Sequence, residues 1–194
     1  MSLLTIILYY LSAYLIGSLM AGYFVVKLLG RKDIRVEGSR NVGARNAGRV
    51  HGKASFVLTF LGDALKGAMV IYTGQYLDLV PELVLAGLFF AILGHVKPIT
   101  LGFKGGMGIS TFIGGMLAFE PMAAIVIIAG FLLLYPLLKS FTFAGLGAFI
   151  TIPFFLYFRG ESALNCILAG ILVLVILYIH REDIMERLGN KTKK

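Results

Sequence analysis

The sequence predicts an all-α integral membrane protein with about seven transmembrane helices in a single membrane domain, residues 1–194. Three observations lead to this prediction. Hydrophobic residues make up 58% of the 194 positions and charged residues only 14%, with a mean hydropathy of +0.89. A water-soluble domain has about 25% charged residues, so this chain lacks the polar side chains to cover itself in water. The apolar residues also form long runs, and the positive charges fall between them with a strong bias to one side.

Seven apolar runs are assigned as membrane spans by hydropathy. They cover residues 3–29, 54–76, 81–96, 109–119, 121–138, 142–158 and 162–179. The first lacks a basic leading region and is longer than the ~7–15-residue core of a signal peptide, so we interpret it as a span. The fourth crosses only if residues 103–108 also enter the bilayer, and otherwise it is re-entrant. Glycines within the runs predict close helix contacts: Gly17, Gly114, Gly115, Gly130 and Gly170.

The distribution of lysine and arginine gives the predicted orientation. If all seven runs cross, segments 30–53, 97–108, 139–141 and 180–194 share one side and hold fifteen of these cations, against Arg159 alone on the other. Cytoplasmic loops carry an excess of cations, so the N-terminus is predicted outside and the C-terminus in the cytoplasm. Topology and anionic headgroups account for the net charge of +8, so we expect membrane lipid and no nucleic acid as a partner.

The segment 33–49, which reads DIRVEGSRNVGARNAGR, combines cations with residues suited to anion binding. Glycine lets backbone N–H groups turn toward a ligand, and successive amides form anion-binding nests. The planar fork of arginine matches phosphate oxygens. A loop that only followed the positive-inside distribution would not need this spacing of glycine and asparagine. We interpret the segment as a phosphate-binding loop, with a flexible basic loop as the alternative.

A second glycine-rich segment, 94–108, reads GHVKPITLGFKGGMG and ends immediately before the fourth run. Free amides and the helix dipole at a helix N-terminus favour phosphate. The segment is not a Walker loop, since GxxxxGK[ST] occurs nowhere in the chain. On the same predicted membrane face as the first segment, it indicates a second phosphate-binding loop.

The remaining polar candidates leave alternatives open. Asp63 and Lys66 are three residues apart in the second run, and therefore lie on one helix face. Because ionisable residues at membrane depth are costly, they form either a mutual salt bridge or part of a ligand site. His180, directly after the last run, is either a hydrogen-bond donor to phosphate or an ordinary interfacial histidine. Cys166 is the single cysteine, so no disulfide framework and no metal-binding cysteine cluster is expected. No metal and no cofactor are predicted.

In chain order, the motifs DIRxxGSxNxGAxN, GDxLKG, GHxxP with FKGGxG, and HRxxI resemble those of the acyl-phosphate:glycerol-3-phosphate acyltransferases (PlsY) of bacterial membranes. Their order and spacing agree along nearly the whole chain. The resemblance implies a multi-pass enzyme of the bacterial plasma (inner) membrane with seven helices. Its implied reaction moves an acyl chain from acyl phosphate to glycerol 3-phosphate and gives lysophosphatidic acid for phospholipid synthesis. It also implies a partner enzyme that supplies acyl phosphate at the cytoplasmic face.

The resemblance assigns the site residue by residue. The implied substrate- and phosphate-binding residues are Gly38, Ser39, Asn41, Gly43, Arg45, Asn46, Arg49, Asp63, Lys66, His95, Lys104, Gly105, Gly106, Gly108 and His180. No covalent nucleophile is implied, and the candidates for a catalytic role are His180, Lys104 and Arg49. The HxxxxD motif of other glycerolphosphate acyltransferases is absent. A mechanism in which the substrate's own phosphate helps to take the proton fits this set of residues.

The chain departs from the family pattern in its polar motifs. The usual FKGGKG has Met107 in place of its second lysine, and in the usual GSGNxGATN, Arg40 replaces glycine and Arg45 replaces threonine. The usually serine-bearing segment 139–145 reads KSFTFAG, and Asp183 stands in place of asparagine. One cation is lost and two are gained, so Arg40 or Arg45 is expected to replace the missing charge. These departures mark a divergent member.

Two alternatives to this acyltransferase stay open. A paralogue with an altered substrate or lost activity would show the same pattern of changed polar motifs and retained glycines. A small transporter of phosphorylated solutes would also need several helices and a basic vestibule. The transporter is disfavoured, because transporters commonly carry an internal repeat of helices and none is found in this sequence.

Overall fold

The computed structural model describes residues 2–30 and 32–191, which form α-helices and one 3₁₀ turn. The helices are α1 Leu3–Gly17, α2 Ala21–Gly30, α3 Ala44–His51, α4 Lys53–Tyr76, α5 Pro81–Val96, α6 Ile109–Phe119, α7 Ala123–Leu138, α8 Phe141–Phe149, α9 Ile152–Phe158, α10 Ala163–Ile179 and α11 Arg181–Lys191. The 3₁₀ turn, Ile99–Leu101, follows α5. The prediction of an all-α chain is confirmed for the described residues. Contacts divide the chain into two compact units, Met1–Glu120 and Pro121–Lys194.

Several of the predicted spans are long enough to cross a bilayer. Within the described ranges, the helical segments with sufficient length and hydropathy are Leu3–Gly30, Lys53–Tyr76, Pro81–Leu101 and Phe141–Phe158. A fifth is counted if α10 and α11, bent by 59°, form one span. The runs predicted at 109–119 and 121–138 correspond to the shorter apolar helices α6 and α7. Length and composition thus support an integral membrane protein, while the count of seven stays a prediction.

The first predicted span is broken into α1 and α2. Two carbonyl groups at the break are satisfied by side chains from elsewhere in the first unit. The Oγ1 atom of Thr100 donates to the Ser18 carbonyl at 2.6 Å, and the Nζ atom of Lys66 donates to the Leu19 carbonyl at 2.9 Å. A broken helix is tolerated at membrane depth only where its freed backbone groups find such partners. The break therefore ties the first span to α4 and to the 3₁₀ turn.

Helix α4 packs against α6 through glycines that bring the two backbones together. A Cβ atom added at Gly67 would lie 2.0 Å from the Thr111 carbonyl oxygen, and one at Gly114 would lie 1.9 Å from that of Ala64. Small residues allow this close approach in membrane helices, where dispersion contacts hold helices together. The site residues of α4 are consequently held at a fixed distance from the start of α6.

In the second unit, α7 packs against α8 and α9 packs against α10. Helix α7 contains Pro136 and ends at Leu138, and the following residue, Lys139, has a left-handed backbone with φ of 47°. Arg187 of α11 donates a hydrogen bond to the Leu138 carbonyl, and its guanidinium lies 4.8 Å from the ring centre of Phe143. These contacts connect the last helix to the α7–α8 turn.

Candidate functional site

The first loop, residues 32–43, is closed around the side chain of Asn46. This residue is in the first turn of α3 and is only 2% exposed. Its Nδ2 atom donates to the carbonyl oxygens of Glu37 at 3.0 Å and Asn41 at 2.9 Å. Its Oδ1 atom accepts from the backbone N–H of Ser39 at 2.9 Å. A longer hydrogen bond of 3.5 Å runs from Nδ2 to the Ile34 carbonyl oxygen, so one buried amide fixes the backbone of the loop at four points.

Two residues of this turn have left-handed backbone conformations. Gly38 has φ of 57°, and a Cβ atom there would lie 2.3 Å from the Oδ1 atom of Asn46, so only glycine fits. Arg40 has φ of 64°, and its N–H donates to the Glu37 carbonyl at 2.9 Å. The Oδ1 atom of Asn41 accepts from the N–H of Gly43 at 2.7 Å, just before α3 begins. The predicted residues of the first motif thus form one compact turn.

The second loop, residues 97–108, packs against His95. The N–H of Gly106 donates to the His95 carbonyl at 3.0 Å. A Cβ atom at Gly105 would lie 2.1 Å from that carbonyl oxygen, and one at Gly106 would lie 2.1 Å from the Nε2 atom of the imidazole. Both glycines are therefore required by close approach. The N–H of Val42 points to the Gly105 carbonyl at 3.4 Å, which brings the two loops together.

Behind the second loop lies a buried polar cluster on α4, α5 and α6. The Nζ atom of Lys66 is 2.9 Å from the Oδ1 atom of Asp63, and the Nδ1 atom of His95 is 3.7 Å from the same oxygen. The imidazole is also 3.2 Å from the Oγ1 atom of Thr111. All three titratable residues are at most 4% exposed. The salt bridge that the sequence left as one alternative is present, and the cluster supports the loop from within the helices.

An open cleft of about 540 Å³ lies beside the two loops, and the described residues that line it are Arg35, Val36, Arg40 and Lys104. Arg35 is held by Asp33, with 2.7 Å between its Nη2 atom and a carboxylate oxygen, and its guanidinium lies 5.2 Å from the ring centre of Tyr23. The hydrogen bond from Arg35 lowers the pKa of Asp33 to about 2. This arginine is thus already paired. Arg40 and Lys104 are exposed, and no acidic side chain of the described chain forms a salt bridge with either.

The first unit contains every predicted site residue except one. Arg45 and Arg49 are exposed on α3, and Gly108 precedes α6 with φ of 82°. His180 belongs to the second unit, between α10 and α11, where it is 1% exposed and its Nδ1 atom is 2.8 Å from the Ile176 carbonyl oxygen. The predicted set omitted Arg35 and Arg40, both of which line the cleft. Arg40 carried a signal in the sequence, since it replaces a family glycine.

Comparisons with known proteins agree with these motifs and this fold. The family model described as glycerol-3-phosphate acyltransferase matches residues 7–190. Glycerol-3-phosphate acyltransferase 1 of Bacillus cereus is 45% identical over 175 residues, which cover 90% of this chain and 96% of that protein. The protein of the same name from Desulfitobacterium hafniense is 36% identical over 184 residues, covering 95% and 91% of the two chains.

Solved structures show the same fold. The crystal structure of PlsY (YgiH), an integral membrane glycerol 3-phosphate acyltransferase, in its glycerol 3-phosphate form has a TM-score of 0.87 to this chain at 31% identity. The match covers 96% of this chain and 93% of that one. The lysophosphatidic acid form of PlsY gives a TM-score of 0.85 at 30% identity. This chain therefore belongs to the glycerol-3-phosphate acyltransferase family of integral membrane proteins.

Proposed function

We propose that this chain transfers an acyl group from acyl phosphate to glycerol 3-phosphate and releases lysophosphatidic acid. This reaction is the first acylation of phospholipid synthesis. The observation that carries this proposal is the contact between two glycine-rich loops beside a cleft lined by Arg40 and Lys104. Family membership supplies the reaction class, and the cationic cleft supplies a place for a phosphate group. No metal or cofactor is invoked.

The reaction requires that the two substrates are positioned and that the negative charges of their phosphate groups are stabilised. An acyl phosphate is an activated mixed anhydride, so the glycerol 1-hydroxyl can attack its carbonyl carbon directly. The bond between the acyl carbon and the phosphate oxygen breaks, an ester bond forms, and the hydroxyl proton passes to the released phosphate. Cations that offset two phosphate groups allow the reactants to approach, and a fixed geometry lowers the entropic cost of their meeting. Lys104 and Arg49 are the proposed residues for this role in the first unit, and His180 stays a prediction from the resemblance.

The proposed topology is multi-pass in a bacterial plasma (inner) membrane, with seven spans, the N-terminus outside and the C-terminus in the cytoplasm. The one-sided distribution of lysine and arginine supports it. Both loops then lie on the cytoplasmic side, where glycerol 3-phosphate and an enzyme supplying acyl phosphate can reach them. Labelling of single cysteines placed at Lys53 and Gly160, in a Cys166→Ser background, tests this orientation. Labelling of both from the same side of sealed vesicles would contradict it.

The activity is tested with purified protein in mild detergent, palmitoyl phosphate and labelled glycerol 3-phosphate. We expect lysophosphatidic acid from the native chain and its loss in Arg49→Ala and Lys104→Ala. Lys53→Gln is the matched control, since it removes an exposed cation of the same basic segment outside the cleft. Replacing palmitoyl phosphate by palmitoyl-CoA distinguishes the donors, and product from the thioester alone would contradict an acyl phosphate donor.

A second candidate, a paralogue with an altered substrate, is favoured by Met107, which stands where the family pattern has a lysine. A charge-assisted contact with phosphate contributes roughly 1.5–3 kcal/mol, so this loss requires compensation or a different ligand. The Met107→Lys variant separates the two candidates. No product from the native chain, together with product from Met107→Lys, would support the paralogue.

A further inference from the structure

We infer that Arg40 and Lys104 together bind one substrate phosphate, and that Arg40 replaces the cation that the family pattern carries at position 107. We refer to these two side chains as the cation pair. The inference rests on the proposed function, because it takes the ligand to be a phosphate dianion. It adds a specificity-determining residue at a position where the family pattern has glycine.

The backbone of Arg40 is the first observation. Its φ of 64° is in the left-handed region, which glycine adopts freely and residues with a Cβ atom do not. The neighbours Ser39 and Asn41 are both hydrogen-bonded to the buried amide of Asn46, so the turn imposes this conformation on residue 40. A residue kept in an unfavourable conformation points to a role of its side chain. Replacing the family glycine by Arg40 makes the backbone conformation less favourable and adds only the arginine side chain.

The surroundings of that side chain are the second observation. Arg40 comes from the first loop and Lys104 from the second, and the Val42–Gly105 contact brings these loops together. Both side chains line the same open cleft of about 540 Å³. Neither forms a salt bridge with a described acidic residue, in contrast to Arg35 on the same wall.

The chemistry of the two cations fits one phosphate group. A guanidinium offers a planar fork of N–H donors that binds two phosphate oxygens, and an ammonium adds a compact charge with rotatable donors. The charge on the cleft wall is positive, because only one of its three cations is paired with a carboxylate. A phosphate dianion brought into the cleft would offset the remaining two.

The structure also distinguishes between the two cations gained relative to the family pattern. Arg45 lies in the first turn of α3 and is not among the described residues that line the cleft. Arg40 is among them, together with Lys104. Met107 contributes no charge and is likewise outside the described lining. Replacement of the missing lysine is therefore assigned to Arg40.

The central test is Arg40→Gly, which restores the family residue and removes the unfavourable backbone. We expect the KM for one phosphate-bearing substrate to rise at least about ten-fold, the fold-change that corresponds to one charge-assisted contact. The thermal midpoint in detergent is expected to stay the same or to rise, since glycine suits this φ. Loss of affinity without loss of stability separates a binding role from a structural one. Measuring KM separately for glycerol 3-phosphate and palmitoyl phosphate shows which phosphate the cation pair binds.

Three further variants complete the design. Arg40→Lys keeps a cation and is expected to recover part of the affinity, although it loses the fork. Lys53→Gln removes an exposed cation outside the cleft and is expected to leave both KM values unchanged. In the Arg40→Gly/Met107→Lys double variant, we expect the raised KM to return toward the native value, because the cation is moved back to the family position.

The outcomes separate this inference from the proposed function. If the native chain is active and Arg40→Gly changes neither KM more than Lys53→Gln does, the inference is overturned and the acyltransferase stands. A double variant as weak as Arg40→Gly alone would overturn the replacement of position 107. If the native chain forms no product, calorimetric titration with glycerol 3-phosphate and with palmitoyl phosphate tests the cation pair directly. Binding of either ligand that Arg40→Gly abolishes would support the pair. If Arg40→Gly leaves the binding of both ligands unchanged, or if neither ligand binds, the pair is overturned.

Discussion

The two units each bury one asparagine side chain to the same extent, 2% exposed, but they give it different partners. In the first unit, Asn46 hydrogen-bonds to four backbone groups of one loop with both ends of its amide. In the second unit, Asn165 donates from Nδ2 to a carboxylate oxygen of Glu161 at 2.8 Å. Its Oδ1 atom is buried without a hydrogen bond in the described structure. The same residue type organises a loop in one unit and is only half satisfied in the other.

Glycines show the same contrast between the units. In the first unit, a Cβ atom at Gly17 or Gly114 would lie 2.1 or 1.9 Å from a backbone carbonyl oxygen of the facing helix. In the second unit, a Cβ atom at Gly130 would lie 3.1 Å from a side-chain carbon, and one at Gly170 would lie 3.8 Å from its nearest neighbour. The prediction of close helix contacts is thus confirmed most strongly in the first unit, and Gly170 does not need to be glycine for packing.

The difference between the units indicates which positions of this chain tolerate substitution. Backbone groups pressed against each other cannot move aside as a flexible side chain can, and a satisfied buried amide cannot be removed without leaving its partners unpaired. The first unit, which contains both loops, therefore tolerates little substitution along α4 and α6. Matched substitutions in the two units should consequently differ in effect.

The largest expected effect is at the buried ion pair of the first unit. Lys66→Met leaves the carboxylate of Asp63 buried without its cation and frees the Leu19 carbonyl at the helix break. Removing one partner of a buried pair costs about 3–5 kcal/mol of stability. We expect the variant to unfold at a much lower temperature in detergent or to fail to accumulate in the membrane. The chain contains no tryptophan, so thermal unfolding is followed by the reactivity of Cys166 toward a thiol reagent.

Two controls sharpen that prediction. Asp63→Asn/Lys66→Met removes both charges and should be milder than Lys66→Met alone, because no unpaired charge stays buried. In the second unit, Glu182→Gln breaks an exposed pair with Arg181, in which the glutamate side chain is 88% exposed, and should have almost no effect. Equal losses in the buried and exposed variants would contradict the comparison between the units.

The next effect concerns the glycine contacts. Gly114→Ala places a methyl group 1.9 Å from the Ala64 carbonyl oxygen, so α4 and α6 must separate. Overpacking of this kind costs about 1–3 kcal/mol and more where the backbone cannot shift. Gly170→Ala is the matched variant of the second unit and should be neutral or slightly stabilising, since alanine favours the helix. Thermal midpoints of the two variants, measured in the same detergent, test whether their stability losses differ. A Gly170→Ala variant as damaged as Gly114→Ala would show that packing alone does not distinguish the units.

The next prediction concerns the two asparagines, where we expect a smaller effect on the stability of the fold and a clear effect of Asn46 on substrate affinity. Asn46→Ala removes four hydrogen bonds to the first loop, and the three shorter ones are each worth about 1 kcal/mol. The substitution also releases the turn that holds Arg40. Asn165→Ala removes one side-chain hydrogen bond and an unsatisfied oxygen, so its stability should change little. We expect Asn46→Ala to raise the KM for a phosphate-bearing substrate and Asn165→Ala to leave it near the native value. Steady-state kinetics beside thermal midpoints test this, and a raised KM only in Asn165→Ala would reverse the comparison.

Much of the first unit could be predicted from the sequence. Composition and hydropathy gave the all-α membrane class, and glycine spacing gave two loops that the structure brings into contact at Val42 and Gly105. The ion pair of Asp63 and Lys66 was one of the two alternatives that their spacing of three residues and their depth in the span allowed. These features depend on local patterns or on residue chemistry, which a single sequence contains.

Other features depend on contacts between distant segments and could not be predicted. The break between α1 and α2 relies on Thr100 and Lys66 to satisfy its carbonyl groups, and neither is near it in sequence. The choice between Arg40 and Arg45 required the position of the cleft. Asn46 was predicted as a ligand-binding residue, whereas its amide is occupied by backbone groups of the loop. That use of the side chain is visible only once the turn is folded.

The smallest expected effect is at the exposed pair of Asp33 and Arg35, which sharpens the contrast with the buried pair in the same unit. Its Nη2–Oδ2 distance of 2.7 Å is shorter than that of the buried pair, yet both side chains are about one-third exposed, so solvent screening limits its value to at most about 1 kcal/mol. The pKa of Asp33 is lowered from 3.8 to about 2, so its stabilisation is complete above pH 3.8 and is lost as the pH falls through 2. The thermal midpoint of Asp33→Asn should therefore be slightly lower than the native value at pH 5–7 and should converge on it as the pH falls below 2. A difference that grows toward low pH would have the opposite sign and would contradict this assignment, because it would require a carboxyl group that is more easily protonated when folded.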